Sequence, residues 1–450
     1  MSGPGGRGLD VALVHYAAPP VVGGVERIVG RHASLMADAG HAVRIVAGRG
    51  AAQDPRVRFV GVKRADSLHP AVVEIGADLA LGRATRQFEE LVETLEEELA
   101  VALAGSEVVV LHNVASLNRN LALTAALYSL LARPGAPRTI LWHHDPAWAL
   151  SRYRPSLHEG APWSLLRTPW PGAIQVTISA DRRHDLAGLL GLPESDIAVV
   201  PGGVDLPDAT LSAAAGSPDE IVAESALPDA GPLPASVTDF EPLLLTPARL
   251  TPRKNIELAV ETVAALRVAG HRAGLVVTGP VDPHDRTEWL YLERLLELRR
   301  RLGLDEAVVF LAEAESGPPV DRQLAWLYGA AAAMLLPSLD EGFGLPILEA
   351  AVRELPIVCS NLPSLRELAR DDAVYIEPDG TAEAAARAVM AAIARGPSAA
   401  LAGRVRESYS WPAVYARHIA PLLERAAGRA SARRPAQSSA ATSDRDNQAS

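Results

Sequence analysis

The 450-residue sequence predicts an α/β fold of two parallel-sheet units facing each other across a cleft. Three observations carry that expectation. Short apolar runs alternate with stretches of helical period, the pattern of a parallel sheet covered on both faces. The alternation comes as two series, divided by a stretch rich in proline, alanine and aspartate. Glycine-rich or polar turns follow the carboxyl ends of several runs, the side on which open parallel sheets bind ligands. At roughly 100 to 200 residues per domain, the length allows two or three domains and a large core.

In the first series "DVALVHY" (10–16), "AVRIVAG" (42–48), "EVVVLHN" (107–113), "RTILWHH" (138–144), "AIQVTIS" (173–179) and "DIAVVPGG" (196–203) read as strands. "VERIVGRHASLMADAG" and "LVETLEEELAVALAG" read as helices between them, the second with an acidic face that solvation explains. Residues 9–203 are thus expected to form one Rossmann-like domain. A connector without sustained apolar period follows at about 206–240. The second series, in a domain over 204–410, has strands at "PLLLTPA" (242–248), "AGLVVTG" (273–279), "AVVFLAE" (307–313), "AAMLLPS" (332–338), "LPIVCS" (355–360) and "AVYIEP" (373–378). "SWPAVYARHIAPLLERAA" supplies a last helix at 411–427, while "MSGPGGRG" and the tail at 428–450 are low in complexity and are expected to be disordered.

Composition excludes several classes. The formal net charge is −11 and no Lys/Arg block is interleaved with aromatics, which argues against nucleic acid as a partner. Cys359 is the only cysteine and follows "LPIV", so it reads as a small buried residue in a reducing compartment. "MSGPGGRGLDVALVHYAAPPVV" has one arginine and an apolar part broken by prolines, which supports neither a signal peptide nor an anchor. No run of about 18 apolar residues occurs. A soluble cytoplasmic protein is expected. "SRYRPSLHEGAPWSLLRTPW" (151–170) reads either as an acceptor-binding or membrane-surface loop or as packed loop aromatics, which leaves peripheral contact with the inner membrane face open.

The most informative stretch is "DEGFGLPILEA" (340–350). Its glutamates, Glu341 and Glu349, bring to mind the carboxylate pair of a glycosidase. Pro346 argues otherwise, because proline suits a first helical turn and "PILEAAV" carries a helical apolar stripe. Glu341 is then in the loop and Glu349 in the first turn of the helix. Between them lie Gly342, Gly344 and the unpaired N–H groups of the helix start, an anion site with a carboxylate on either side.

Other motifs admit two or more readings. In "ARLTPRKN", Thr251 as N-cap and Pro252 as first helical residue put Arg253 and Lys254 in the first turn, where each exposed cation opposes the helix dipole by about 0.3–1 kcal/mol unless an anion binds. Arg249 and Lys254 are a phosphate clamp or a solvated surface pair. Gly23-Gly24 in "VVGGVERIV" opens a helix after the first strand, as an anion-binding turn or an ordinary one, and Glu26 reads as a dipole partner. "HHD" (His143, His144, Asp145) and "HN" (His112, Asn113) end two strands. They form a metal site, a set of structural hydrogen bonds, or a sugar- and proton-handling site in which Asp145 orients His144.

Together "GGVERIV", "HHD", "PGGVD", "ARLTPRKN", "VVTGP" and "LPSLDEGFGLPILEAAVRELPIVCSNLPSLREL" resemble the family 4 (group 1) glycosyltransferases, retaining enzymes of the GT-B fold, over residues 9–425. The resemblance implies two facing Rossmann-like domains, the second binding a nucleotide-diphosphate sugar, and a last helix returning to the first. It implies that Glu349 bonds the ribose, that Glu341 meets the transferred sugar, and that Phe343, Gly344 and Leu345 line sugar and diphosphate by their backbones. Arg249 and Lys254 would neutralise the diphosphate, Gly23 and Gly24 would approach it, Gly279 would join the donor site, and His144 would contact the sugar. His112, Asn113 and Asp145 are the candidate acceptor contacts. The chain departs from the family pattern at "VPGGVD", where asparagine is common in place of a glycine, and at "FLAEA", which lacks the usual glycine.

The function implied is transfer of a hexosyl group, mannose or glucose, to an unidentified carbohydrate, small-molecule or lipid-linked acceptor. No cofactor is expected. No metal is expected either, since the sole Asp-x-Asp, Asp444-Arg445-Asp446, lies in the low-complexity tail. A nucleotide-sugar epimerase or hydrolase, or a non-catalytic nucleotide-sugar sensor, is the competing reading. The Arg/Lys pair followed by the glutamate pair favours transfer over the first, and the retained "HHD" favours it over the second.

Overall fold

The computed structural model describes residues 7–21, 23–207, 237, 239–279, 286–313 and 321–428. The expected disorder at 1–6 and 429–450, most of the connector and the Asp-x-Asp lie outside the described residues.

Seven strands form one parallel sheet: β1 (Asp10–Val14), β2 (Ala42–Ala47), β3 (Val57–Gly61), β4 (Val108–His112), β5 (Arg138–His143), β6 (Ile174–Thr177) and β7 (Ile197–Val199). Their order is β3-β2-β1-β4-β5-β6-β7. A second parallel sheet contains β8 (Leu243–Thr246), β9 (Gly274–Val277), β10 (Val308–Phe310), β11 (Ala333–Leu336), β12 (Ile357–Ser360) and β13 (Val374–Ile376), ordered β10-β9-β8-β11-β12-β13. Each sheet reverses direction beside its first strand. The loops leaving β1 and β4, and those leaving β8 and β11, therefore part from each other and open a crevice at the carboxyl ends.

The apolar runs follow from burial on both faces. In β1, Val11 and Leu13 enter one core while Ala12 and Val14 enter another. In β8, Leu243 and Leu245 likewise oppose Leu244. Strand β3 was not among the expected strands. It pairs only with β2 and alternates half-buried apolar residues with an exposed Arg58, so at the sheet's edge it never forms the continuous apolar run of a central strand. The helix Arg86–Ala102 buries Phe88, Leu91, Leu95 and Leu99 and turns its glutamates outward, as solvation requires. Cys359 is fully buried, and burial pushes its thiol up to about 12.

Two local expectations are corrected. Pro252–Lys254 is a separate 3₁₀ turn, and Asn255, at φ 50°, breaks it from the helix Ile256–Val268. Arg253 and Lys254 are thus not in an α-helical first turn, and the Thr251 side chain caps nothing. The helix after Gly344 begins at Leu345, so Glu349 is its fifth residue and sits one turn further in than expected. Gly344 takes φ 103°, a conformation that a side chain would strain.

The segment Trp411–Ala426 returns to the first sheet, where Val414, Ile419, Leu422 and Leu423 join the core of Leu9, Val11 and Leu13. It widens to a π-turn at Tyr415–Ile419 ahead of Pro421, which has no N–H to close an ordinary turn. In the 151–170 loop Trp163 and Trp170 are buried, so packing accounts for both tryptophans. Among the described residues no helix is long and apolar enough to cross a membrane.

Candidate active site

The loops after β8 and β11 bring the two glutamates and the two clamp cations to one side of the cleft. Lys254 is buried and ion-paired with Glu341. Burial lowers the lysine's pKa, and the Glu341 carboxylate works against that fall. The Ser364 hydroxyl fixes the Glu341 backbone by donating to its carbonyl at 2.6 Å. Arg249 is bonded to the buried Glu288 at 2.8 Å. Each cation of the clamp therefore already has a carboxylate partner. Gly279, at the end of β9, packs so tightly that an added Cβ would fall 2.0 Å from the Ala248 carbonyl, which locks the two loop backbones together. The Phe343 ring faces Tyr409, with centroids 6.2 Å apart, and Phe343, Gly344 and Leu345 line the cleft.

Glu349 has two partners from different directions. The Tyr328 hydroxyl donates to one carboxylate oxygen at 2.8 Å, and Arg27, from the opposite unit, donates to the other at 2.7 Å. Burial, then the neighbouring Glu349 charge, raise the Tyr328 phenol well above its ordinary range, so it stays a neutral donor.

On the first unit the turns after β4 and β5 interlock. Asn113, at φ 60°, accepts the backbone N–H of His144 at 2.8 Å and of Asp145 at 3.0 Å with its side-chain oxygen. His144 Nε2 lies 3.1 Å from His112 Nδ1, whereas Asp145 is bonded to Arg152 at 2.9 Å. His112, not Asp145, orients the His144 ring. His112 itself is fully buried behind His144, so it supports the site rather than facing a ligand. His143 is structural, bonded to Ser116 at 2.6 Å and Gln175 at 2.8 Å. Burial depresses His144 to about 3 despite the opposing pull of Asp145. It is therefore a neutral imidazole at neutral pH. Among the described residues no group of three or more His, Cys, Asp or Glu is arranged to hold a metal.

Gly23 caps the helix Gly24–Asp38, and Glu26 folds back over it. Glu26 also lies 3.7 Å from His15 Nε2. Burial raises its pKa, but His15 and the helix-start backbone outweigh that and leave the carboxylate ionised. At Gly24 an added Cβ would meet nothing within 4 Å, so the wall of the cleft is open there.

The two sides touch. A Cβ on Gly342 would stand 3.8 Å from the His144 carbonyl oxygen, and the Ser179 hydroxyl donates to the Gly342 carbonyl at 3.0 Å. Asp340 receives Arg182 at 2.8 Å and Arg152, both from the first unit. Burial pushes Asp340 up, but the two guanidiniums together hold it below the usual carboxylate range.

Residues 22–207 match the profile of Glycosyltransferase Family 4, and residues 236–404 match that of Glycosyl transferases group 1. The chain belongs to this glycosyltransferase family. Its curated relatives include O-antigen chain mannosyltransferase B of Escherichia coli, 34% identical over 131 residues, which are 29% of this chain and 31% of that protein. They also include a D-inositol 3-phosphate glycosyltransferase of Actinosynnema mirum, 32% identical over 258 residues, 53% of this chain and 56% of that protein. The matches thus span about a third to just over half of these relatives' length. Among solved structures, sucrose-phosphate synthase from Thermosynechococcus elongatus superposes with TM-score 0.64 at 18% identity, covering 93% of this chain and 98% of that one. HepE of Anabaena, in complex with UDP and glucose, gives 0.61 at 16% identity, covering 93% and 100%. The fold of this glycosyltransferase is GT-B.

Sequence reasoning missed Asp340, Arg152, Arg182, Arg27, Tyr328 and His15 as site neighbours. His15 carried the same signal as His112, a polar residue at the carboxyl end of a parallel strand. Asp340 and Arg152 lie in two stretches already singled out, 340–350 and 151–170, but their pairing with each other spans 188 residues, and Arg182, Arg27 and Tyr328 carried no local signal.

Proposed function

We propose that the chain is a retaining, metal-independent hexosyltransferase that moves mannose or glucose from a nucleotide-diphosphate sugar to an acceptor. The observation that carries this is the contact of the DEGFG loop with the HHD turn, beside which Glu341 and His144 both line the cleft. Residues 204–410 act as the donor domain, and residues 9–203 with 411–427 as the acceptor domain. The mannosyltransferase relative and the UDP and glucose in HepE support the donor class.

In this reading Glu349 takes the ribose hydroxyls, aided by Tyr328, and Arg27 swings away as they arrive. Glu341 and the neutral His144 bond sugar hydroxyls. The bond from the sugar C1 to the diphosphate oxygen breaks with its electron pair going to that oxygen, and the acceptor oxygen bonds to C1 from the same face as its proton passes to the departing diphosphate. Arg249, Lys254 and the helix start after Gly344 take up the charge developing on the diphosphate, the task of preorganised donors in a water-poor site. Gly24 leaves room for it from the other wall.

The test is thermal unfolding with UDP, GDP or ADP, followed by nucleotide release and product mass with a panel of nucleotide sugars and acceptors. A ligand at 100 times its Kd stabilises by about 2.7 kcal/mol, so the matching nucleotide should raise Tm by several degrees. No shift at millimolar concentration sinks the donor site. An isomerised or merely hydrolysed sugar would favour an epimerase or hydrolase, and binding without turnover a sensor.

A further inference from the structure

The cleft wall opposite the donor loops is rich in arginine, although the whole chain carries a net charge of −11. Arg27, Arg31, Arg49, Arg56, Arg119 and Arg152 line it. Five are balanced by carboxylates: Arg27 by Glu349, Arg31 by Asp205, Arg49 by Asp66, Arg56 by Asp54, and Arg152 by Asp145 and Asp340. Among the described residues no carboxylate is paired with Arg119, which is exposed to the cleft.

Arg119 stands on a fixed platform. Its neighbours Leu117 and Asn120 are buried. The Asn120 amide donates to the Arg64 carbonyl at 2.9 Å and accepts from Leu123 N–H at 3.0 Å, and the Asn118 amide donates to the Ser156 hydroxyl at 2.8 Å. An exposed cation on a pinned backbone gives up less freedom when a ligand binds than one on a mobile loop. Its field also reaches inward, where it opposes the burial-driven rise of the Tyr16 phenol, a group that senses Tyr153 as well. Arg152 stacks 4.8 Å over the Tyr153 ring and is bonded to Asp145, the residue after His144. His144, Arg152, Tyr153 and Arg119 all line this one cleft.

We propose that Arg119 anchors an acceptor subsite for a phosphate group carried by the acceptor. The inference rests on the glycosyltransferase reading and adds the acceptor's chemical class. A guanidinium fork takes two phosphate oxygens at once and leaves a further oxygen for another donor, which a carboxylate, with two oxygens only, does not. A soluble polyol phosphate and a lipid with a phosphate headgroup share this chemistry.

The experiment titrates inorganic phosphate into the full chain saturated with its nucleoside diphosphate, so that the donor clamp is already filled. Wild type should bind phosphate, Arg119→Gln should bind it at least about tenfold more weakly, and Arg119→Lys should recover part of the loss. Nucleoside diphosphate affinity should be the same in all three. Transfer is then compared between inositol and inositol phosphate, and between phosphatidylcholine vesicles with and without phosphatidylinositol. Arg119-dependent preference for the phosphorylated member supports the inference, and the arm in which it occurs identifies the source. Phosphate binding that is absent, or equal in Arg119→Gln, overturns it while leaving the donor reading intact. Failure to bind any nucleoside diphosphate overturns both.

Discussion

Arg152 is bonded to Asp340 across the cleft, over 188 residues of sequence, while its other guanidinium nitrogen holds Asp145. One side chain thus ties the turn that carries His144 to the loop that carries Glu341. Its loss should spoil the alignment of the reacting groups more than it weakens nucleotide binding, which in the proposed reading rests chiefly on the second unit. Arg152→Ala is expected to lower turnover by about 10- to 100-fold, as misplacement of reacting groups by an ångström does. Nucleoside diphosphate affinity should change little. A double-mutant cycle with Asp340→Asn should give a coupling of about 1–2 kcal/mol on turnover, and strictly additive effects would show that the pair is incidental.

Arg27 occupies the carboxylate that the ribose would need. The Arg27 side chain is 57% exposed, so its pairing with Glu349 is worth no more than about 1 kcal/mol. Arg27→Ala should therefore leave Tm nearly unchanged and tighten nucleoside diphosphate binding by up to about fivefold. Glu349→Gln should weaken it. Calorimetry reads both, and tighter binding by Glu349→Gln would place the ribose elsewhere.

Glu341→Ala and Arg249→Ala separate the sugar contact from the leaving-group contact. Both should act chiefly on turnover, and removal of one charge-stabilising donor should cost on the order of 100-fold. Lys254→Ala and Glu341→Ala each strand the other's buried charge and should also cost about 3–5 kcal/mol of stability, so turnover is compared on the folded fraction of each. Donor turnover in EDTA should match that in Mg²⁺ or Mn²⁺. If chelation abolishes activity while Arg249→Ala is nearly silent, the clamp assignment is wrong.

Burial holds His32 and His144 at about 3 and His143 at about 4, and drives His112 down as well. These folded-state values lie below the unfolded value of about 6.5, so between them the unfolded chain binds more protons. Stability is then complete above about pH 6.5 and falls as pH drops toward 4, by roughly 1.4 kcal/mol per pH unit for each such histidine. The urea midpoint should fall steeply between about pH 7 and pH 5.5. A flat profile over that range would mean that the rings are not sealed from water.

The strands and the glutamate loop were legible because central parallel strands and a proline-started helix leave local marks. Strand β3 was not, since an edge position needs no apolar run. The break at Asn255 was hidden because Thr251-Pro252 imitates a helix start, and only the left-handed Asn255 reveals two elements. Asp145 looked like the natural partner of His144 because the two are adjacent. Adjacent residues at a strand end point apart, and His112, from the neighbouring strand β4, fills the place. The bonds of Arg152 and Arg182 to Asp340 and of Arg27 to Glu349 arise only when the two sheets face each other, so no local pattern could announce them.

The chain crosses between the sheets twice, and the crossings run side by side: Val204 N–H donates to the Tyr409 carbonyl at 2.8 Å, and Trp411 N–H to the Val204 carbonyl at 3.2 Å. A Cβ on Gly203 would fall 2.4 Å from the Trp411 ring, so the strands are pressed against the indole like pages into a binding. A spine of that kind allows bending and resists sliding. Contacts beside it, such as Arg31 with Asp205, lie near the axis of any hinge motion, and such a motion would widen the cleft most at the fore-edge.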